Sequence, residues 1–512
     1  MSRSTRLNPL DAAWLFTESR ATPNHVGGLL QFRLPEGAPR DFLRQMMADF
    51  RSHRGFVPPW NRRLKLPFNK NPVPVWVEAD DDEIDLEYHV RHAALPWPGG
   101  ERELGELVGR LHSTPIDLAR PPWECTLIEG LEGDRFALFI KMHHSLIDGV
   151  SGMNLLQRAM STSASRSESI PPFWANGQDQ GKAKAGGERR ASAALPTVDA
   201  AVAAAMQALK LQAQTVPQLA SAFGQLFKRV VEPGDGLEVP FAAPRSVLNG
   251  RVREKRRFAT QQFSMARLRA VATAAQCTLN DVVLAICGGA LRRFLLERDA
   301  LPAESLTAGI PVSVRPQDDE GTGNAITFII ATLGTDLEDG VERLQAIRRS
   351  VKHAKAHVQA MPRQAMLQYT MLLMAPTILT LLTGIGGRTR PMFNITISNV
   401  PGPEKPMYFR GAELLAIYPA SIVTHGQALN ITCESYAGQM NFGFTGCHSS
   451  VPSLQRLAPY AAEALEELEE ALLAPPAPVV ETVLPKQPPR RSASRPRRKR
   501  AAVAAAGTSE AG

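Results

Sequence analysis

The chain has 512 residues, 44% of them hydrophobic, which is long enough for two domains with full cores. Its net charge of +8 does not describe a basic folded body: residues 486–512 hold eight Lys/Arg against Glu510, a net of +7, and +8 minus +7 leaves about +1 for residues 1–485. Five scattered cysteines, Cys125, Cys277, Cys287, Cys433 and Cys447, include no C-x-x-C pair, which argues against a zinc or dithiol centre and for buried thiols in a reducing compartment. In chain order, "MSRSTRLNPLDAAWLF" has basic residues but no apolar core with a small-residue cleavage site, so no secretory signal is read and a cytoplasmic location is expected.

Residues 1–161 form the first half. In "ERELGELVGRLHSTP", Leu104, Leu107, Val108 and Leu111 fall at i, i+3, i+4 and i+7, one face of an amphipathic helix. The continuous apolar run "DRFALFIKM" predicts a buried strand, followed by a short loop and by "VSGMNLLQRAM" with helical spacing. From residue 162 the composition turns polar and rich in Gly, Ser, Ala and Lys, which predicts a flexible linker. A helical bridge interrupted at Pro217 is expected next, the two together spanning 162–235.

The second half, 236–473, mixes the same signals. Thr278 and Asp281 form a capping-box-like start to the helix "CTLNDVVLAICGGALRRFLLER". "SLTAGIPVSV", "NAITFIIATLG", "MFNITISNV", "ALNITCESY" and "QMNFGFTG" predict strands, some too close in sequence for helical crossovers, so an α/β fold with mixed sheets is expected. Residues 365–387 approach the length of a membrane span, yet Gln368, Pro376 and several threonines favour a buried or interfacial helix pair. Residues 474–512 are a basic Pro/Ala-rich tail that cannot bury enough apolar surface to fold, and it either meets an anionic lipid surface or is simply solvated.

The stretch "KMHHSLIDGVSG", 141–152, puts His143 and His144 at a strand end, three residues ahead of Asp148 and Gly149. A metal site would need about three convergent ligands, and no second cluster completes the set, so no metal is expected. Ser145 is not in a G-x-S-x-G elbow, which argues against a serine hydrolase. A structural histidine pair remains possible, and a general base is the favoured reading, since histidine titrates near neutrality.

"HHSLIDG" is similar to the HHxxxDG signature of the CoA-dependent acyltransferase superfamily, whose members include chloramphenicol acetyltransferase and condensation domains. The whole chain more closely resembles the bacterial wax ester synthase/diacylglycerol acyltransferase family, through "LNPLDAAWLFTESRATPNHVGGL", "LEYHVRHAALPWPG", "LHSTPIDLARPPWE", "LNDVVLAICGGALRRFL", "PVSVR", Gly323-Asn324 and "NITISNVPGP". One departure is Pro122, where the family usually has leucine. A rival H-x4-D acyltransferase signature is also met by His143 and Asp148, but the phosphate-binding block that accompanies it is absent from the sequence downstream.

The resemblance implies a two-domain, chloramphenicol acetyltransferase-like fold with a channel between its halves. It implies transfer of a long fatty acyl group from acyl-CoA, a substrate rather than a cofactor, to diacylglycerol, a long-chain alcohol, or both. His144 would be the base, with no acyl-enzyme, and His143 would shape the loop. Asp148 would brace that loop by pairing with an arginine, for which Arg315 is the candidate; capping of the next helix and a surface charge are the plain alternatives. Gly149 would allow close backbone approach. Thr396 and Ser398, two apart on one strand face with Asn399 opposite, are candidate oxyanion donors, and Asn280 is a candidate substrate contact or a helix cap. Peripheral attachment to a membrane or lipid inclusion is expected, with no nucleic-acid partner. The competing readings are a condensation-type enzyme acting on carrier-linked or polyketide substrates and a non-enzymatic lipid-droplet protein.

Overall fold

Short apolar runs and amphipathic stretches resolve into two six-stranded sheets and a small third one in the computed structural model, which describes residues 4–7, 9–65, 74–147, 149–176, 238, 240–313, 326–361 and 363–473. Residues 1–473 form one unit, and 474–512 a second that lies outside the described residues. The expected helical bridge before residue 236 also lies outside them.

The strands are β1 (Ser4–Arg6), β2 (His25–Arg33), β3 (Arg62–Lys65), β4 (Val75–Glu78), β5 (Val90–Ala94), β6 (Trp123–Leu131), β7 (Arg135–His143) and β8 (Arg256–Ser264). Then follow β9 (Thr307–Ser313), β10 (Ile326–Thr332), β11 (Ile395–Val400), β12 (Tyr408–Phe409), β13 (Ala412–Ala420), β14 (Leu429–Tyr436) and β15 (Gln439–Cys447). The helices of two turns or more are α1 (Pro9–Phe16), α2 (Phe42–Ser52), α3 (Glu101–Ser113), α4 (Gly149–Gln157), α5 (Met265–Ala274), α6 (Leu279–Leu296), α7 (Gly340–Gln359), α8 (Arg363–Leu382) and α9 (Leu457–Leu473).

The first sheet runs β12-β13-β2-β7-β6-β5 and the second β10-β9-β11-β14-β15-β8. Both are mixed, as expected: β5/β6, β9/β11 and β11/β14 are parallel and the other pairs antiparallel. The run "FALFIKM" is continuous because β7 is covered on both faces. Phe136, Leu138, Ile140 and Met142 enter an aromatic-rich core with Trp60, Trp123 and Trp174, while Ala137 and Phe139 pack beside Leu104 and Val108 of α3. In the second sheet Ile395, Ile397, Ile431, Phe442 and Phe444 face α5, α6, α7 and α9.

Three features differ from the sequence reading. Residues 162–176, assigned to the linker, are folded at least in part: Phe173 and Trp174 are buried, and Trp174 stacks on Trp123 at 5.7 Å. Two large aromatics in a polar stretch outweigh its average composition. Residues 365–387 form one helix, α8, plus a turn rather than a helix pair, with Pro376 inside it; proline removes one rung, and the helix runs on to Leu382. β13, which carries no separate strand signal in the reading above, leaves its own half of the chain to pair with β2 over Glu413 to Ala420.

No single helix among the described residues is long and apolar enough to cross a membrane. α5 and α6 reach that length and apolarity only together, bent by 99°, and their apolar residues are core residues of the second sheet.

β13 also lies across β14 and β15, and the crossing is close at Gly443 of β15, where a Cβ would stand 1.9 Å from the Pro419 carbonyl oxygen. Gly443→Ala is therefore expected to destabilise the protein by about 1–3 kcal/mol or more, because backbone rather than a flexible side chain must move. A lowered urea midpoint measures it; a wild-type midpoint would show that the two layers separate freely.

Candidate active site

β7 delivers the two histidines. His143 is its last residue, directly opposite His25 of β2, and its backbone N–H donates to the Pro122 carbonyl at 2.9 Å. The next backbone N–H, that of His144, donates to the Asn24 carbonyl at 2.9 Å. His144 lies one residue beyond the strand end, and the two rings take different partners.

His143 is fully buried. Its Nδ1 accepts from the Ser145 backbone N–H (3.2 Å) and from Ser145 Oγ (2.6 Å), so its proton sits on Nε2, which donates to Glu18 Oε2 at 3.0 Å. This imidazole is committed on both nitrogens. His144 is half-buried in the turn, and its ring stacks on Trp14 of α1 with centroids 4.4 Å apart. Trp14 is in turn tied to the same loop, since Asn24 Nδ2 donates to the Trp14 carbonyl at 2.6 Å and to Thr17 Oγ1 at 3.0 Å. Glu18 and Asn24 are site residues that the sequence reading did not single out; both lie within the quoted segment "LNPLDAAWLFTESRATPNHVGGL".

Behind the turn lies a buried ion pair. Lys141 Nζ is 3.1 Å from Glu124 Oε2 and donates to the Leu111 and Thr114 carbonyls (3.1 and 2.7 Å), with both charged side chains almost wholly enclosed. Burial holds the Lys141 ammonium below its ordinary pKa, and Glu124 opposes that shift. Pro122 is compatible with the site because the strand uses its carbonyl, not an N–H, while Trp123 Nε1 donates to the Trp60 carbonyl at 2.8 Å. Trp123 is a core residue.

A line of hydrogen bonds leads from here to the second sheet. His25 Nε2 donates to the His112 carbonyl (2.9 Å), and His112 Nε2 donates to the Ser421 carbonyl (3.1 Å). Burial above all holds His25 well below its ordinary pKa and His112 down at about 3, so both are neutral hydrogen-bonding fixtures at physiological pH. Ser421 Oγ is 2.6 Å from Thr432 Oγ1, and Thr432 stands directly beside Ser398 in the β11/β14 register.

Thr396 and Ser398 therefore share the polar face of the second sheet with Asn430 and Thr432, while Ile395 and Ile397 point into the helical core. Thr396 Oγ1 donates to Gln427 Oε1 at 2.9 Å. Asn399 is half-buried near the end of β11, on the other face. Asn280 is half-buried at the second position of α6 and does not form the capping box, which Thr278 and Asp281 make between themselves. Gly149 opens α4. Asp148 and Arg315 lie outside the described residues. Among the described residues no group of three His, Cys, Asp or Glu is arranged to hold a metal ion.

Residues 7–283 match the wax ester synthase/diacylglycerol acyltransferase catalytic domain, and residues 322–469 match the WS/DGAT C-terminal domain. A putative diacylglycerol O-acyltransferase of Mycobacterium tuberculosis is 44% identical, over 91% of this chain and 97% of that protein. The solved wax ester synthase/diacylglycerol acyltransferase of Marinobacter aquaeolei VT8 is 37% identical with a TM-score of 0.73, covering 92% of this chain and all of that one. The first condensation domain of the CDA synthetase, 15% identical with a TM-score of 0.51 over 93% of this chain and 97% of that one, shares the fold.

One buried carboxyl on the polar face of the second sheet is a stability probe. Glu434 is 1% exposed, Oε1 has no partner among the described residues, and burial raises its pKa from 4.5 to about 8. A carboxyl raised in this way favours the fold fully below about pH 4.5, and that contribution is lost as the pH climbs towards 8. Glu434→Gln removes the titration, so its stability relative to wild type is expected to grow by on the order of a few kcal/mol from pH 4.5 to 8. Urea midpoints at the two pH values measure this, and a constant difference would mean that Glu434 is ionised at both.

Proposed function

The chain belongs to the wax ester synthase/diacylglycerol acyltransferase family and is an O-acyltransferase, and from that premise we propose a direct, base-assisted transfer. The donor is a long-chain fatty acyl-CoA, and the acceptor is the hydroxyl of diacylglycerol or of a long-chain alcohol. His144 removes the hydroxyl proton as the oxygen attacks the thioester carbon. The tetrahedral intermediate collapses with cleavage of the C–S bond, and the CoA thiolate leaves and recovers that proton. Ser398 is the candidate donor to the oxyanion, with Thr396 a second once its hydroxyl turns from Gln427 Oε1, and Asn280 is the candidate substrate contact. Asp148 paired with Arg315 is the candidate loop brace.

The observation that carries this reading is the division of labour between the histidines: His143 spends both nitrogens on Ser145 and Glu18, whereas His144 is half-buried in the turn with its ring supported by Trp14. A base must be held in orientation without being sealed in, and of the two histidines the half-buried His144, stacked on Trp14, fits that condition better than the fully buried His143. His144→Ala is expected to lower acyl transfer from palmitoyl-CoA by roughly 10²–10⁴-fold with an unchanged melting temperature. Product formation near the wild-type rate would remove the base from the mechanism.

The acceptor and product are insoluble in water, so turnover is proposed to occur at a lipid surface reached peripherally. Leu379 and Leu382 on α8, with Ile385 just beyond it, are exposed apolar side chains within two turns of chain. The basic residues of 486–500 would add about 1 kcal/mol each near an anionic bilayer. Deleting residues 476–512 is expected to spare activity on detergent-dispersed acceptor while weakening sedimentation with anionic liposomes, most clearly at low salt. Equal sedimentation of both forms at every salt concentration would exclude the tail as an anchor.

A further inference from the structure

A second polar site lies where α3 meets β8. The helix lies close against the strand because Gly105 and Gly109 carry no side chain: a Cβ at either would stand 2.7 or 2.9 Å from the carbonyl oxygens of Phe258 and Arg256. Beside this contact opens a groove of about 600 Å³, within the range of small-molecule sites, walled by Arg110, Ser113, Lys255, Arg256, Arg257 and His448.

Its charge is uncompensated. Among the described residues none of Arg110, Lys255, Arg256 and Arg257 is paired with a carboxylate, and Glu106, the one acid in the wall, is engaged by Arg102 at 3.4 Å. Arg257 Nη2 donates to His448 Nε2 at 3.1 Å, and Arg257 Nε is buried without a hydrogen-bond partner. Burial, then Arg257 and Lys255, hold the His448 imidazole below its ordinary pKa, which marks a positive local potential.

The groove is also wired to the catalytic turn. Arg256 Nη2 donates to the Ala21 carbonyl at 2.6 Å, in the loop that carries Glu18 and Asn24. Ser113 Oγ accepts from the Arg256 backbone N–H at 2.8 Å, next to the His112 that bonds His25. The groove thus lies at the boundary between the two halves, α3 coming from the first and β8 from the second.

We propose that this groove binds the nucleotide end of acyl-CoA, with its 3′-phosphate and diphosphate on Arg110, Lys255 and Arg257, while the pantetheine arm runs inward towards His144. The assignment rests on the acyl-CoA reading above. A cluster of phosphates suits the three cations Arg110, Lys255 and Arg257, Arg256 being buried with its guanidinium spent on backbone carbonyls, and the Arg110 and Arg257 guanidinium groups offer the forked donors that phosphate oxygens accept. An anionic lipid headgroup offers similar chemistry, but among the described residues no large apolar side chain is in this wall to enter a bilayer beside it.

The test uses the full chain and adenosine 3′,5′-bisphosphate as the probe, followed by calorimetry. Wild type is expected to bind it with an affinity that falls as salt rises. Arg110→Gln with Lys255→Gln, both at exposed positions, and separately Arg257→Gln, are expected to weaken it about tenfold or more. The same variants should lose kcat/KM with palmitoyl-CoA by a similar factor, through KM, and the loss should collapse with palmitoyl-pantetheine, which lacks the nucleotide. Unchanged probe binding, or equal losses with both donors, overturns the assignment. Reduced sedimentation with phosphatidylglycerol vesicles alongside unchanged probe binding overturns it too, and assigns the groove to lipid. No turnover of palmitoyl-CoA by wild type would defeat the acyl-transfer reading, while the calorimetry still decides whether the groove takes the nucleotide.

Discussion

The geometry around the histidine turn depends on one charged contact sealed from water, that of Lys141 with Glu124. The two residues are directly opposed on β7 and β6, so their attraction fixes the register of the strand that ends in His143. The same ammonium holds the last carbonyls of α3, which sets that helix against the strand at the height of the catalytic turn. Withdrawing both charges from water is expensive, and the cost is offset only because each has further partners: two carbonyls for the lysine, and Arg91 and Tyr88 for the glutamate. The contact is better understood as positioning than as net stabilisation.

What it positions is a relay of neutral hydrogen bonds. With α3 in place, His112 reaches Ser421 in the other half while receiving His25, and the polar face of the second sheet is thereby set beside the end of the first. Burial keeps both imidazoles uncharged, so the relay holds its geometry across the pH range in which an exposed histidine changes state. Beside that rigid frame His144 is held by a carbonyl on its N–H and an indole against its ring.

Local signals in the sequence carried the elements well. The apolar run before His143 is a strand because both its faces are covered, and Thr278 with Asp281 caps α6 as the spacing predicts. The family motifs marked the turn itself. Long-range partners were not legible, because no periodicity announces them. Glu18 is a lone carboxylate in a polar loop until folding brings it to His143, 125 residues away. Ala412–Ala420 does not declare which sheet it will join, and Phe173 and Trp174 are diluted by the polar residues around them.

The passage of β13 into the first sheet bears on how the chain can be made. During synthesis the first 161 residues emerge with their strands β2, β7, β6 and β5 able to pair, but the outer edge of β2 is left bare until residues 412–420 leave the ribosome. That edge is long and includes the buried apolar residues Leu29, Leu30 and Phe32, the kind of surface that recruits another nascent chain. The amino-terminal half thus cannot mature as an independent folding unit. Its completion is a late, high-contact-order event, and a chain stalled or truncated before residue 412 would be expected to aggregate rather than to persist as a half-enzyme.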